Sequence, residues 1–457
     1  MVGLQPEGMH PFGTTMIGRT IKNFGLKTLA GAIAVSMATL AHAGTTLVGG
    51  GATLPSLGYV GSAAAVQKQV SPASSNSFFG VYSAQRGYPA VSYCLTGSGT
   101  GKNILAGVPG TSVQNDCPDT GTITGFGAPA VGRTDLTQPN FAAADSPLTQ
   151  TDYSNYVTNR VASKPIEFPA VAGAIAIAFN KTDDQGSSVS AVNLTDSQIC
   201  GVFSGKITDW SDARLAPAIT LPAGHTVSGP INVQYRSDGS GSTFAFSNHL
   251  TYTCSRTPTA HFVADQAFTT VVSKFLPTVP ANWTGSSGNA AVTAAIQANS
   301  GSIGYVEAAN AITSGVNFAL VDGQSPKTDL GNPTTHRVTV QTASLAMNDV
   351  INGADPNTGV AVLSPISPAP STKCIALVKP SSYAKPTSGY PIIAISYLLG
   401  NSNGNGPDLA ATKNLIAAPY TPTITNSPNL TTIGANTGLA FLTTTFKPAA
   451  VKACLIN

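Results

Sequence analysis

An α/β fold with mostly parallel sheets is the architecture this sequence predicts. Short apolar runs alternate with helix-like stretches along its length. The run Phe168–Phe179, FPAVAGAIAIAF, is apolar throughout, as in a strand buried on both faces. Three glycine-rich turns each stand between a strand candidate and a helix candidate. Of 457 residues, 42% are hydrophobic, enough for two or three domains with real cores. Only 9% are charged, where a soluble domain carries about 25%. The formal net charge of +3 is too weak to hold nucleic acid by counterion release. Disordered chains are poor in apolar residues and high in net charge, and this one is neither.

The elements follow in order. Leu47–Leu54, LVGGGATL, runs from a short strand into a glycine turn, and an Ala-rich stretch from Ser56 to Val70 predicts a helix. Val91–Leu95 predicts a second strand, followed by Gly97-Ser98-Gly99-Thr100-Gly101 and the helical KNILAGV. After the apolar run, Thr195-Asp196-Ser197 caps a helix within Leu194–Trp210. Ile231–Tyr235 is a strand, and Asp238-Gly239-Ser240-Gly241-Ser242 leads into the helical TFAFSNHL. Ser302–Val306 and Cys374–Val378 complete the strands. The stretch Asp322–Pro370, rich in Pro, Thr and Asn, predicts little regular structure, and Asn401–Pro407 reads as a loop.

Residues 16–43 have the layout of a secretory leader. Arg19, Lys22 and Lys27 precede an apolar Leu29–Leu40 core, and Ala41-His42-Ala43 offers a small-x-small cleavage site. Met16 is a candidate true start, and no cysteine near the cleavage site would carry a lipid anchor. Six cysteines remain: Cys94, Cys117, Cys200, Cys254, Cys374 and Cys454. An even count in an exported chain favours disulfides over redox or zinc chemistry. Sequential pairing is the expectation, since it keeps each bridge within one region of the chain.

The chemistry concentrates in the three turns, Gly49-Gly50-Gly51-Ala52-Thr53-Leu54-Pro55, Gly97-Ser98-Gly99-Thr100 and Arg236-Ser237-Asp238-Gly239-Ser240-Gly241-Ser242. Glycine lets a ligand approach the backbone, and the free N–H groups of a following helix start favour an anion. A P-loop fails at Thr96 and Asn103, and G-x-G-x-x-G fails at Lys102 and Ile104. No G-x-S-x-G surrounds Ser98 or Ser240. His225, His249, His261 and His336 show no metal-ligand spacing, and no cofactor is expected.

The segments GGGATLP, YCLTGSG, YRSDGSGS and GSIGYVEAANA, with LTDSQICGVFSGKITDWSD and SGYPIIAISYLL, resemble the periplasmic phosphate-binding proteins of ABC transporters. Within them the match is closest to the DING subgroup. The resemblance implies the two-lobed periplasmic-binding-protein fold, type II-like, closing on one inorganic phosphate. Residues 1–43 would be the leader, 44–170 with 370–457 lobe one, and 171–369 lobe two. It implies phosphate contacts from Thr53, Leu54, Ser98, Asp135, Arg236, Ser240, Gly241 and Ser242, with Asp238 bracing Arg236. Asp135, in Gly132-Arg133-Thr134-Asp135, stands where the family usually has Gly-small-Ser-Asp. Such a carboxylate accepts the proton of phosphate and repels sulfate, which has none to give.

The function implied is non-catalytic phosphate capture by a monomeric periplasmic or secreted protein, for delivery to an ABC permease in the inner membrane. Two alternatives stand beside it: a secreted phosphatase, and a phosphate scavenger or adhesion factor without a permease.

Overall fold

The computed structural model describes residues 45–63, 68–111, 117 and 125–457. The leader expected at 1–43 lies outside the described residues. The N-terminal part runs β1 (Leu47–Gly51), α1 (Ser56–Val60), β2 (Lys68–Val70), α2 (Phe78–Ser83), β3 (Val91–Leu95) and α3 (Ser98–Ala106). It continues with β4 (Phe141–Ala144), α4 (Gln150–Asn159) and β5 (Pro165–Asn180). The middle part holds β6 (Asn193–Leu194), α5 (Asp196–Phe203), β7 (Asn232–Arg236), α6 (Gly241–Thr253), α7 (Phe268–Val272) and β8 (Thr284–Ser286). Then come α8 (Asn289–Ala298), β9 (Ser302–Glu307), α9 (Ala308–Ser314), β10 (Asn317–Phe318) and β11 (Leu320–Val321). The last third adds β12 (Arg337–Thr339), β13 (Leu345–Met347), β14 (Asp349–Ala354), β15 (Ala361–Pro365), β16 (Ala376–Val378), β17 (Ile393–Asn401) and β18 (Leu439–Thr443).

One sheet of 12 strands dominates, in the order β2-β3-β1-β4-β17-β5-β9-β7-β8, with β10, β12 and β18 attached. The expectation of mostly parallel sheets is corrected: the sheet is mixed. β1 pairs parallel with β3 and β4, and β7 with β8 and β9. The two central strands, β17 and β5, run antiparallel to each other and to β4 and β9 respectively. β17 arrives from the last third of the chain, so no local helix crossover constrains its direction.

β5 ties the sheet together. Its first part, Pro165–Ala174, pairs with β17, and Ile175–Asn180 pairs with β9. Of its 16 residues only Asn180 is less than buried, which explains the uninterrupted apolar run. Pro169 lacks an N–H for the ladder, and the register slips beside it, where Ser396 faces Val171 but Tyr397 faces Pro169. Gly173 is a packing glycine: a Cβ there would lie 2.6 Å from Leu54 Cδ2, so the first turn rests directly on β5.

Two aromatic clusters flank this strand. Tyr59, Phe78, Phe79, Tyr93 and Phe141 pack together beside β1 and β3. Phe203, Phe246, Phe268 and Tyr305 do so beside β7 and β9. All three disulfides pair sequentially as expected: Cys94–Cys117, Cys200–Cys254 and Cys374–Cys454. Among the described residues no helix is long and apolar enough to cross a membrane.

Three local expectations need correction. The helix expected over Ser56–Val70 stops at Val60, because Gly61 takes the left-handed conformation (φ 74°) that ends helices, and Lys68–Val70 joins the sheet as β2. The helix within Leu194–Trp210 starts as expected, with a Thr195–Gln198 capping box, but ends at Phe203, before left-handed Gly205. Asp322–Pro370 is ordered: it holds β12, β13 and the β14–β15 hairpin, which gain their partners only from distant or neighbouring strands.

Glu167, in β5, is fully buried; its Oε1 accepts the Leu148 N–H at 2.8 Å while Oε2 has no partner. Burial pushes its pKa up to about 8. An acid raised in this way binds more protons folded than unfolded, so it costs stability as pH climbs from the ordinary carboxylate range to about 8. Glu167→Gln is therefore expected to flatten the fall in melting temperature between pH 5 and pH 9, removing on the order of 2–4 kcal/mol of pH-dependent loss. Scanning calorimetry across that range tests it.

Candidate functional site

The third turn shows how the site is assembled. β7 ends on Arg236, and α6 begins five residues later, at Gly241. Ser240 caps that helix from an extended conformation, its Oγ accepting the Thr243 N–H at 3.2 Å. Helix geometry leaves the first-turn N–H groups of Gly241 and Ser242 without intrahelical acceptors. Gly241 has no room for a side chain: a Cβ would lie 2.3 Å from Asp145 Cβ and 2.7 Å from its backbone. The missing side chain thus seats Asp145, just past the end of β4, against the start of α6.

The second turn meets both. Ser98 opens α3, its Oγ accepting the Asp145 N–H at 3.0 Å and reaching Asp145 Oδ2 at 3.5 Å. Gly97, at φ 83°, would place a Cβ only 2.8 Å from Asp238 Oδ2, and the Gly99 N–H donates to Gly239 O at 3.2 Å. The first turn closes the ring through Asn289 at the start of α8. Its Nδ2 donates to Thr53 Oγ1 at 3.1 Å and to Ser242 Oγ at 3.3 Å. The Leu54 N–H faces the Asp145 carboxyl.

One buried cation stands in this ring. Arg236 is 2% exposed, and its Nε and Nη2 grip Asp238 in a bidentate pair at 2.7 and 2.5 Å. Asp238 Oδ1 also accepts the Gly288 N–H, and Tyr305 Oη accepts the Arg236 backbone N–H. The guanidinium plane is therefore held, with Nη1 hydrogen-bonded to no described residue. Asp145 is buried with it. Desolvation pushes its pKa up to about 7, against the opposing pull of Ser396, Arg236, the Leu54 N–H and Ser98. Its Oδ1 is buried without a partner. Two hydroxyl-bearing helix starts, one fixed guanidinium and one acceptor carboxyl suit a small oxyanion that carries a proton.

Of the residues expected in the site, the structure brings together Thr53, Leu54, Ser98, Arg236, Ser240, Gly241 and Ser242, with Asp238 on Arg236. It does not bring Asp135. That side chain is 55% exposed and is held by Arg133 at 2.7 and 2.9 Å. Arg133 in turn grips Asp408 and the carbonyl of Thr46, at the start of β1, whereas the site lies beyond that strand's end. Arg133 supplies a strong local partner, which draws Asp135 away and holds its carboxyl below the ordinary range. The buried carboxyl that the structure places in the ring is Asp145, in Phe141-Ala142-Ala143-Ala144-Asp145-Ser146-Pro147. An acid placed directly after a short apolar strand was the available signal. Asn289 gave none, since its role depends on contacts 236 and 47 residues away.

Comparison with known proteins finds the following relatives. The PBP superfamily domain matches residues 42–408. Alkaline phosphatase L of Pseudomonas aeruginosa strain PAO1 is 30% identical over 300 residues, 65% of this chain and 66% of the relative. Its counterpart in strain UCBPP-PA14 is 30% identical over 381 residues, 81% of this chain and 80% of the relative. The phosphate-binding protein PstS of Xylella fastidiosa strain Temecula1 is 27% identical over 185 residues, 40% of this chain and 44% of the relative. Among solved structures, a high-affinity periplasmic phosphate-binding protein, PfluDING, bound with phosphate, superposes with a TM-score of 0.58 at 26% identity. That match covers 89% of this chain and 92% of the other.

The tight seat of Gly241 generates a direct test. Gly241→Ala must displace the Asp145 backbone, and an overpacked contact of this kind costs about 1–3 kcal/mol. Urea denaturation is expected to show that loss, with the native secondary structure retained in circular dichroism.

Proposed function

This chain belongs to the PBP superfamily, and we propose that it is an exported solute-binding protein that captures inorganic phosphate between two lobes. The observation that carries the reading is the meeting of Asp145 with Arg236 and the starts of α3 and α6. Arg236 and the helix-start N–H and hydroxyl groups attract and orient the oxygens. Asp145 accepts the proton that phosphate and arsenate keep at neutral pH and sulfate lacks. A sulfate oxygen there would face an acceptor with nothing to donate.

The lobes are taken as 44–170 with 370–457, and 171–369. The division of β5 supports this boundary, since its first part pairs with β17 and its end with β9. In this reading closure turns on β5 and brings the first two turns onto the third. Delivery to an ABC permease, a periplasmic location after removal of the leader and a monomeric state complete the proposal.

The reading is of a binding protein, which the match to phosphate-binding relatives supports. The hydroxyls of Thr53, Ser98, Ser240 and Ser242 are engaged in capping or in contacts to Asp145 and Asn289. The name carried by the Pseudomonas relatives nevertheless makes a phosphomonoester hydrolysis assay a useful companion measurement.

Calorimetric titration with phosphate, arsenate and sulfate tests the assignment. The parent chain is expected to bind the first two and reject the third. Arg236→Ala is expected to abolish measurable phosphate binding, because Asp238 and Asp145 then lose their cation. Asp145→Asn is expected to relax the rejection of sulfate by about 1–3 kcal/mol, since an amide N–H can serve the oxygen that the carboxylate repels. Asp135→Asn is expected to leave selectivity unchanged. If Asp135→Asn rather than Asp145→Asn relaxes it, the acceptor is misassigned.

A further inference from the structure

Asp145 Oδ1 is not the only buried polar atom without a partner in its neighbourhood. Ser396 Oγ in β17 and Tyr59 Oη in α1 share that condition, both on residues fully shielded from solvent. The antiparallel register of β17 on β4, Tyr397 opposite Ala144, carries Ser396 to the level of Asp145, and its hydroxyl lies near both the Asp145 carboxyl and the Tyr59 phenol without a well-formed hydrogen bond to either. Ser396 is also the polar interruption in the apolar strand IAISYLL, at the point where β17 slips register against Pro169. A hydroxyl buried without a partner is costly, so its retention in such a strand asks for an acceptor.

The direction of such a chain follows from its members. The Tyr59 phenol is held protonated by burial, so it can donate to Ser396. Ser396 can then donate onward, and the carboxylate, which only accepts, ends the chain. Hydrogen bonds linked in this way strengthen one another in a low-dielectric interior.

We propose that Tyr59 and Ser396 form a hydroxyl relay onto Asp145 Oδ1, making them positioning residues that set the pH above which the site accepts a protonated oxyanion and rejects sulfate. The inference rests on Asp145 being the acceptor in the phosphate site described above. The other charged or titratable groups facing Asp145 are Arg236 from β7, Glu307 at the end of β9 and Tyr93 from β3. Arg236 is braced by Asp238, and the Glu307 carboxylate caps α9 through the Ala309 and Asn310 N–H groups at 2.7 and 2.9 Å. Cutting the relay at Ser396 leaves these partners of Arg236 and Glu307 in place.

The sign is definite. Donors stabilise the carboxylate, and burial already raises Asp145 to about 7. Removing a donor raises the pH at which Asp145 takes up a proton. A protonated Asp145 can donate to sulfate, and it accepts from phosphate only through its uncharged carbonyl oxygen, a weaker acceptor than the carboxylate.

The experiment titrates inorganic phosphate and sulfate into the parent chain and into Ser396→Ala, Tyr59→Phe and Ser396→Thr, from pH 5 to pH 9. In Ser396→Ala the pH below which sulfate binds is expected to move up by about one unit, with phosphate affinity at pH 7 falling about tenfold. Tyr59→Phe should move it in the same direction by less, and Ser396→Thr, which restores the hydroxyl, should return the parent profile. Unshifted profiles in both Ser396→Ala and Tyr59→Phe, or a uniform loss of affinity at every pH, overturn the relay while leaving the phosphate reading intact. A parent chain that binds no phosphate at any pH overturns that reading and the relay with it.

Discussion

Strand-to-helix turns converge in this molecule at a point where there is no space for Cβ atoms, and much else depends on that crowding. Gly101 lies against Gly51, Gly97 against the Asp238 carboxylate and Gly241 against Asp145, each so close that a Cβ would come within 2.8 Å of its neighbour. Backbone therefore meets backbone, and the polar groups at the strand and helix ends face one small volume instead of solvent. The contact works in both directions. It concentrates donors, and it forces each remaining side chain in the ring to satisfy its neighbours. Asn289 does this for Thr53 and Ser242, and Asp238 for Arg236 and Gly288.

Burying a guanidinium in such a place demands a counter-charge, because an isolated ion in a low-dielectric interior is prohibitively expensive. Asp238 supplies it, and the bidentate geometry fixes the plane of the fork. The local charge is then close to neutral before Asp145 is counted. An anion would be held here by oriented donors in a dry site more than by net attraction, which suits discrimination by hydrogen-bond pattern. The low charge of the whole chain fits the same economy: selectivity resides in a few aimed groups, not in a field.

The remainder of the architecture keeps this point rigid. β5 is buried almost end to end and carries β17 on one part and β9 on the other, so both aromatic clusters are referenced to one strand. The disulfides bind the periphery: Cys200–Cys254 joins α5 to the end of α6, and Cys374–Cys454 ties the approach to β16 to the C-terminal segment. Cross-links of this kind act largely by restricting the unfolded chain.

What the sequence determined by itself was what short-range physics decides. Glycine and hydroxyl residues at strand ends marked the three turns, an unbroken apolar run marked β5, and Thr195-Asp196-Ser197 marked a helix start. The cysteine pairs also followed chain order. Tertiary structure decided the rest, because the deciding contacts join residues far apart in the chain. Asp135 and Asp145 are both acids of the segment between α3 and α4, and the packing of Gly241 and Ser98 against one, with the capture of the other by Arg133, decides between them. The mixed direction of the sheet required β17 to return from the last third of the chain and insert between β4 and β5. Asn289 and Tyr59 carried no local signature, since a buried polar side chain acquires its role from the partner that the fold places opposite it.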